Sequence, residues 1–108
     1  MTLGCATLAA ARTTELGLHS LHAYFLRPTP ADRMSLLRVA RVRDGRRFAA
    51  RRVEVLDGDK LCFELLASFA AASSGPEFEE PVPRPAVPEP EHLPDEAQVM
   101  KEAGLNPM

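Results

Sequence analysis

Between Leu18 and Ala70 apolar and polar residues alternate with a period near two, the spacing of strands, and the alternation is interrupted at Arg27-Pro28-Thr29-Pro30, Asp44-Gly45 and Asp57-Gly58. Proline ends the first run because it fixes φ and donates no N–H. Asp-Gly pairs are strong hairpin signals. The pattern therefore predicts a strand over Leu18–Leu26, then a three-strand meander over Ser35–Val42, Arg46–Leu56 and Lys60–Ala70. In the first strand Leu18, Ser20, His22, Tyr24 and Leu26 face one way, and His19, Leu21, Ala23 and Phe25 the other. In the last, Leu61, Phe63, Leu65, Ala67 and Phe69 form one apolar face, with Cys62, Glu64, Leu66 and Ser68 opposite.

Ahead of the strands, Thr2–Thr14 is rich in Ala and Leu and free of proline, with Leu3, Thr7, Ala10 and Ala11 at helical spacing. Its small residues Gly4, Ala6 and Ala9 permit close packing. One helix followed by four mostly antiparallel strands predicts an α+β layer in which a curved sheet wraps a single helix. Beyond Ser73 the pattern changes. Seven prolines between Pro76 and Pro94 exclude regular ladders and helices, so an extended, polyproline-like segment is expected. Asp95–Ala103 reads as a last short helix, with Asp95 as cap and Gly104 as stop.

The chain has 108 residues, enough for one small core. Apolar residues make up 45% but aromatics only 6%, with no Trp, so that core is built mainly from Leu, Val and Ala. No apolar run approaches the roughly 20 residues that cross a bilayer, and Met1–Ala11 lacks the pattern of a secretory signal. A soluble cytoplasmic protein is the expectation. Cys5 and Cys62 show no metal-ligand or disulfide spacing, and read as two free thiols.

The net charge of −2 hides an asymmetry: residues 1–75 carry 11 basic and 7 acidic side chains, and 76–108 carry 2 and 8. The body is basic and the tail acidic. Arginine pairs Arg46-Arg47 and Arg51-Arg52 could grip the phosphates of an anionic ligand, although alternating strand faces let only one of each pair point at it. Nucleic acid is not expected, because these basic strands lack interleaved aromatic stacking residues.

Other candidate groups read more simply as structure. His19 and His22 lie on opposite faces of a strand with no acid partner in sequence. Asp44 and Asp57 occupy turns that favour Asp-Gly for backbone reasons. No motif joins Cys62 to His22 as a nucleophilic pair.

Three stretches carry a more specific signal. His19-Ser20-Leu21-His22-Ala23-Tyr24-Phe25-Leu26-Arg27-Pro28 is followed by Arg43, Gly45, Phe48, Arg51 and Val53, then by Ala67-Ser68-Phe69. This pattern resembles the acyl-CoA thioesterase II family, whose members fold as two fused hotdog domains. Departures are Thr29 for a glycine, Arg47 for a small hydroxyl residue and Ala70 for a glutamine. The resemblance spans about residues 4–94, and Pro81–Pro94 is similar to the family's linker between hotdogs.

The resemblance implies a hotdog half-domain over 1–72, a Pro-rich acidic linker over 73–94 and a tail over 95–108. It also implies a first strand missing ahead of the helix. Family members hydrolyse fatty acyl-CoA to fatty acid and coenzyme A, using an Asp, a Gln and a Ser or Thr of the second hotdog. No position here matches those three, so no catalytic residue, substrate-binding residue, metal or cofactor is assigned. The implied ligand is acyl-CoA, and the implied partner is a second copy or another hotdog chain, to which this chain could also be a non-catalytic complement. A gene fragment and one subunit of a split enzyme both fit.

Overall fold

The computed structural model describes residues 1–105. Helix α1 (Thr2–Ala11) is followed by strands β1 (Gly17–Phe25), β2 (Leu36–Asp44), β3 (Phe48–Asp57) and β4 (Lys60–Ala70). They form one antiparallel sheet in the order β1-β4-β3-β2, so β1 crosses over to flank β4 while the other three run as a meander.

The helix packs on the sheet through Ala6 and Ala10, one turn apart and both fully buried. Alanine at these positions lets the helix backbone approach a face made of Ala49, Val53, Val55, Phe63, Leu65, Ala67 and Phe69. Leu3 and Leu8 are exposed, so the apolar contact of α1 runs along its small residues and not its large ones.

Three irregularities alter which residues face the core. In β1 the pairing steps from Leu18↔Phe69 to Ser20↔Ser68, which makes His19 an extra residue. Leu18 therefore shares a face with Leu21, Ala23 and Phe25, not with Ser20 as uninterrupted alternation predicts. In β2 the step from Arg41↔Arg51 to Arg43↔Ala50 makes Val42 extra. Between β3 and β4 the step from Val55↔Phe63 to Leu56↔Leu61 leaves Cys62 without an opposite residue, and Cys62, not Leu61, is buried.

The two turns also differ from simple Asp-Gly hairpins. Asp57 pairs with Lys60, so the central residues are Gly58 and Asp59, and only Gly58 has a positive φ, 61°. Glycine at the first central position with the second negative is the pattern of a II′ turn. The β2–β3 loop is longer, Gly45-Arg46-Arg47, closed by Gly45 N donating to Phe48 O at 2.8 Å. A Cβ on Gly45 would lie 2.9 Å from that same backbone oxygen, so the loop requires glycine there.

The chain divides into two compact units, Met1–Gly75 and Pro76–Met108. In the second, residues 76–89 have no regular structure, Pro90–His92 form one 3-10 turn and α2 covers Glu96–Glu102. The Asp95 side chain accepts from Gln98 N at 2.7 Å, and Gly104 follows the helix with φ 76°.

Candidate functional site

Arg51 is the one charged side chain with no solvent exposure among the described residues. Burying a guanidinium is tolerable only when its donors are matched, and all five are. Nε donates to Thr13 Oγ1 at 2.6 Å, Nη2 to Thr13 O at 3.2 Å and to Asp44 Oδ1 at 2.5 Å, and Nη1 to Arg43 O at 3.1 Å and Ala50 O at 2.9 Å. Thr13 Oγ1 in turn donates to Ala10 O at 2.7 Å. Arg51 thus ties the end of α1 to the ends of β2 and β3, and has no donor left for a ligand. Arg52, the other member of the pair, is exposed beside Glu64 at 3.8 Å.

The carboxylates at the turns are likewise committed. Asp44 serves Arg51, and Asp57 accepts from Arg33 Nε at 2.9 Å and Nη2 at 2.6 Å. The Arg33 hydrogen bonds hold the Asp57 carboxyl below its ordinary value, with the Coulombic pull of Arg33 acting the same way. His22 is exposed and stacks edge-on with Tyr24, centroids 4.7 Å apart. It pairs with Leu66, four residues along β4 from buried Cys62, so no Cys-His couple forms. His19 is exposed at the β1 bulge and meets Phe48 edge-on at 6.2 Å. Among the described residues no carboxylate hydrogen-bonds either histidine, and no cluster of His, Cys, Asp and Glu could hold a metal ion.

Two of the open surfaces are markedly apolar. The edge strand β1 and its continuation expose Leu18, Leu21, Tyr24, Phe25 and Leu26, with Tyr24 59% and Phe25 70% accessible. At the start of α1, an apolar cavity of about 220 Å³ is lined by Met1, Thr2, Cys5, Thr29, Ser35, Leu37 and Val55. The helix has no side-chain cap at this end. The first turn of α1 thus contributes Met1, Thr2 and Cys5 to an apolar wall.

The family model for the acyl-CoA thioesterase N-terminal domain matches residues 1–70, which hold the helix and all four strands. The chain belongs to the acyl-CoA thioesterase family. Human acyl-coenzyme A thioesterase 8 is 36% identical over 95 residues, covering 86% of this chain and 30% of that protein. Its mouse counterpart is 35% identical over 95 residues, at 86% and 29% coverage. The chain thus spans about a third of the length of these curated relatives.

Among solved structures, the acyl-CoA thioesterase II TesB2 of Mycobacterium marinum superposes with a TM-score of 0.76 at 34% identity, over 82% of this chain and 36% of that one. The tesB protein of Mycobacterium avium subs paratuberculosis gives 0.71 at 35% identity, over 83% and 36%. A hot dog fold protein of Alicyclobacillus acidocaldarius gives 0.65 at 20% identity and supports the fold alone. The sheet wrapped on one helix is therefore a hotdog of the acyl-CoA thioesterase kind. Within its motifs, Arg51 is a structural clamp and Phe48 and His19 form an exposed pair. Sequence reading missed Thr13 and Val42, because nothing local marks a partner 38 positions away or an extra strand residue.

Proposed function

We propose that residues 1–72 form the N-terminal hotdog half of an enzyme that hydrolyses fatty acyl-CoA to free fatty acid and coenzyme A. The carrying observation is the family match over residues 1–70, which coincides with the whole helix-and-sheet unit. In this reading 73–94 is the linker and 95–108 the tail, and the protein works in the cytoplasm. No described helix is long and apolar enough to cross a membrane.

The reaction forms a C–O bond from water to the thioester carbonyl and breaks the C–S bond, with the thiolate leaving as coenzyme A after taking a proton. It needs a base for the water and donors for the oxyanion. Among the described residues Asp44 and Asp57 are tied to arginines and neither histidine hydrogen-bonds a carboxylate; in this reading the water-activating groups lie in the second hotdog. This unit supplies the apolar cavity at α1 and an edge for a second hotdog.

A second reading, a non-catalytic hotdog that completes another chain or pairs with its own copy, is favoured by the exposed apolar residues of β1. Thiol release from short- to long-chain acyl-CoAs, with the gel-filtration mass of the same sample, tests both. A folded oligomer that releases no thiol is the expected result. Turnover that copurifies with the chain would place the water-activating groups within it and overturn the assignment.

A further inference from the structure

The eight arginines from Arg33 to Arg52 divide into two groups. Arg33, Arg38, Arg51 and Arg52 each lie within salt-bridge distance of a carboxylate on the strands or their loops. Arg41, Arg43, Arg46 and Arg47, on β2 and the β2–β3 loop, are exposed and have no such partner among the described residues. The loop's own carboxylate, Asp44, is already consumed by Arg51. This end of the sheet therefore carries four arginines outside any ion pair among the described residues, with Glu15 bordering the adjacent cavity that shares His19 and Ala70–Ala72.

It also borders a cavity of about 570 Å³, lined by His19, Arg47, Phe48, Ala71, Ser73 and Ser74 among others, with no carboxylate in its walls. The volume lies within the range of small-molecule sites, about 300 to 1,000 Å³. Ala71 N donates to Arg47 O at 2.8 Å, which fixes the Ala71–Ser74 wall against the start of β3. Phe48 is 53% exposed and sits T-shaped against His19. A guanidinium, a half-exposed aromatic ring, an imidazole and serine hydroxyls around one concavity match a phosphorylated nucleoside: phosphate on the fork, base against the ring.

We infer that this cavity binds the adenosine bisphosphate end of the acyl-CoA, with Arg47 in its wall and Arg46 beside it in the loop holding the phosphates and Phe48 contacting the adenine. The inference rests on the acyl-CoA reading above and adds where the nucleotide sits.

The test is calorimetric titration of the whole chain with the dodecyl thioether of CoA and with dodecyl pantetheine thioether, which lacks both nucleotide and phosphates. Wild type is compared with Arg46→Gln/Arg47→Gln. Both side chains are exposed and make no side-chain hydrogen bond among the described residues, so the variant should fold with an unchanged melting temperature. The CoA thioether should lose about tenfold in affinity in the variant, whereas the pantetheine thioether should bind both proteins equally. Should the variant not fold, a wild type that binds the two thioethers equally overturns the site by itself. Equal CoA-thioether binding by wild type and variant overturns the site and leaves the acyl-CoA reading standing. Binding of neither thioether overturns that reading together with the site. Oligoadenylate binding tighter than the CoA thioether would assign the arginines to RNA and also overturn it.

Discussion

Arg51 Nη2 donates to Asp44 Oδ1 at 2.5 Å, and the pair exists because Val42 is an extra residue in β2. The register step at Val42 moves Asp44 onto the face that carries Arg51; with unbroken alternation Arg43 would stand there instead, guanidinium against guanidinium. Removing the Arg51 side chain leaves Thr13 O, Arg43 O and Ala50 O without their donor and opens a cavity. Arg51→Ala should destabilise the fold by about 3 kcal/mol in urea unfolding. Deletion of Val42 should approach that loss, and a near-neutral deletion would show that the bulge does not set the pair.

Ala10 tests how closely the helix lies on the sheet. It is fully buried against a face of branched and aromatic residues, so Ala10→Leu should cost about 1 to 3 kcal/mol by overpacking. Leu8→Ala on the exposed side of α1 should stay within about 0.5 kcal/mol. Equal effects in chemical denaturation would mean the helix is seated differently.

Arg33 and Asp57 give the fold an acid-side pH dependence. The folded carboxyl is held below its ordinary value, so the unfolded chain binds the proton more readily. The pair then adds stability above the unfolded value, about 4, and that gain disappears as pH falls through the depressed folded value. Both groups are solvated, which keeps the effect small. Between about pH 5 and pH 2 the melting temperature of wild type should fall more than that of Asp57→Asn. Parallel curves would remove the pair from the account of stability.

The exposed apolar residues of β1 should make the chain self-associate. Leu18→Lys/Tyr24→Lys places charge on both faces of the edge strand while leaving the buried cluster intact. Light scattering should show a multimer for wild type and a monomer for the variant at equal concentration. A monomeric wild type would contradict the use of β1 as a pairing edge.

Much of this fold is legible in sequence because period-two runs and glycine turns are local signals. Lys60–Ala70 emerges with the bounds its alternation gives, and Asp95 and Gly104 bracket α2. Bulges are not local in that sense. His19, Val42 and Cys62 are extra residues only relative to a partner strand, so the faces of Leu18, Leu61 and Asp44 could not be read from one strand alone. For the same reason Arg51 looked free for phosphate: its partners come from α1 and β2, and their convergence is a product of packing. The exposed arginines near Gly45 were legible, but not which of them lacked a carboxylate.

The most direct test of the central claim, that this unit is the acyl-CoA-binding hotdog of a thioesterase, is titration with non-hydrolysable alkyl-CoA thioethers of increasing chain length. Saturable binding that tightens by up to about 15-fold per two carbons is the expected result, since each methylene buried in an apolar cavity contributes at most about 0.8 kcal/mol. Affinity that is absent, or that ignores chain length, would contradict it.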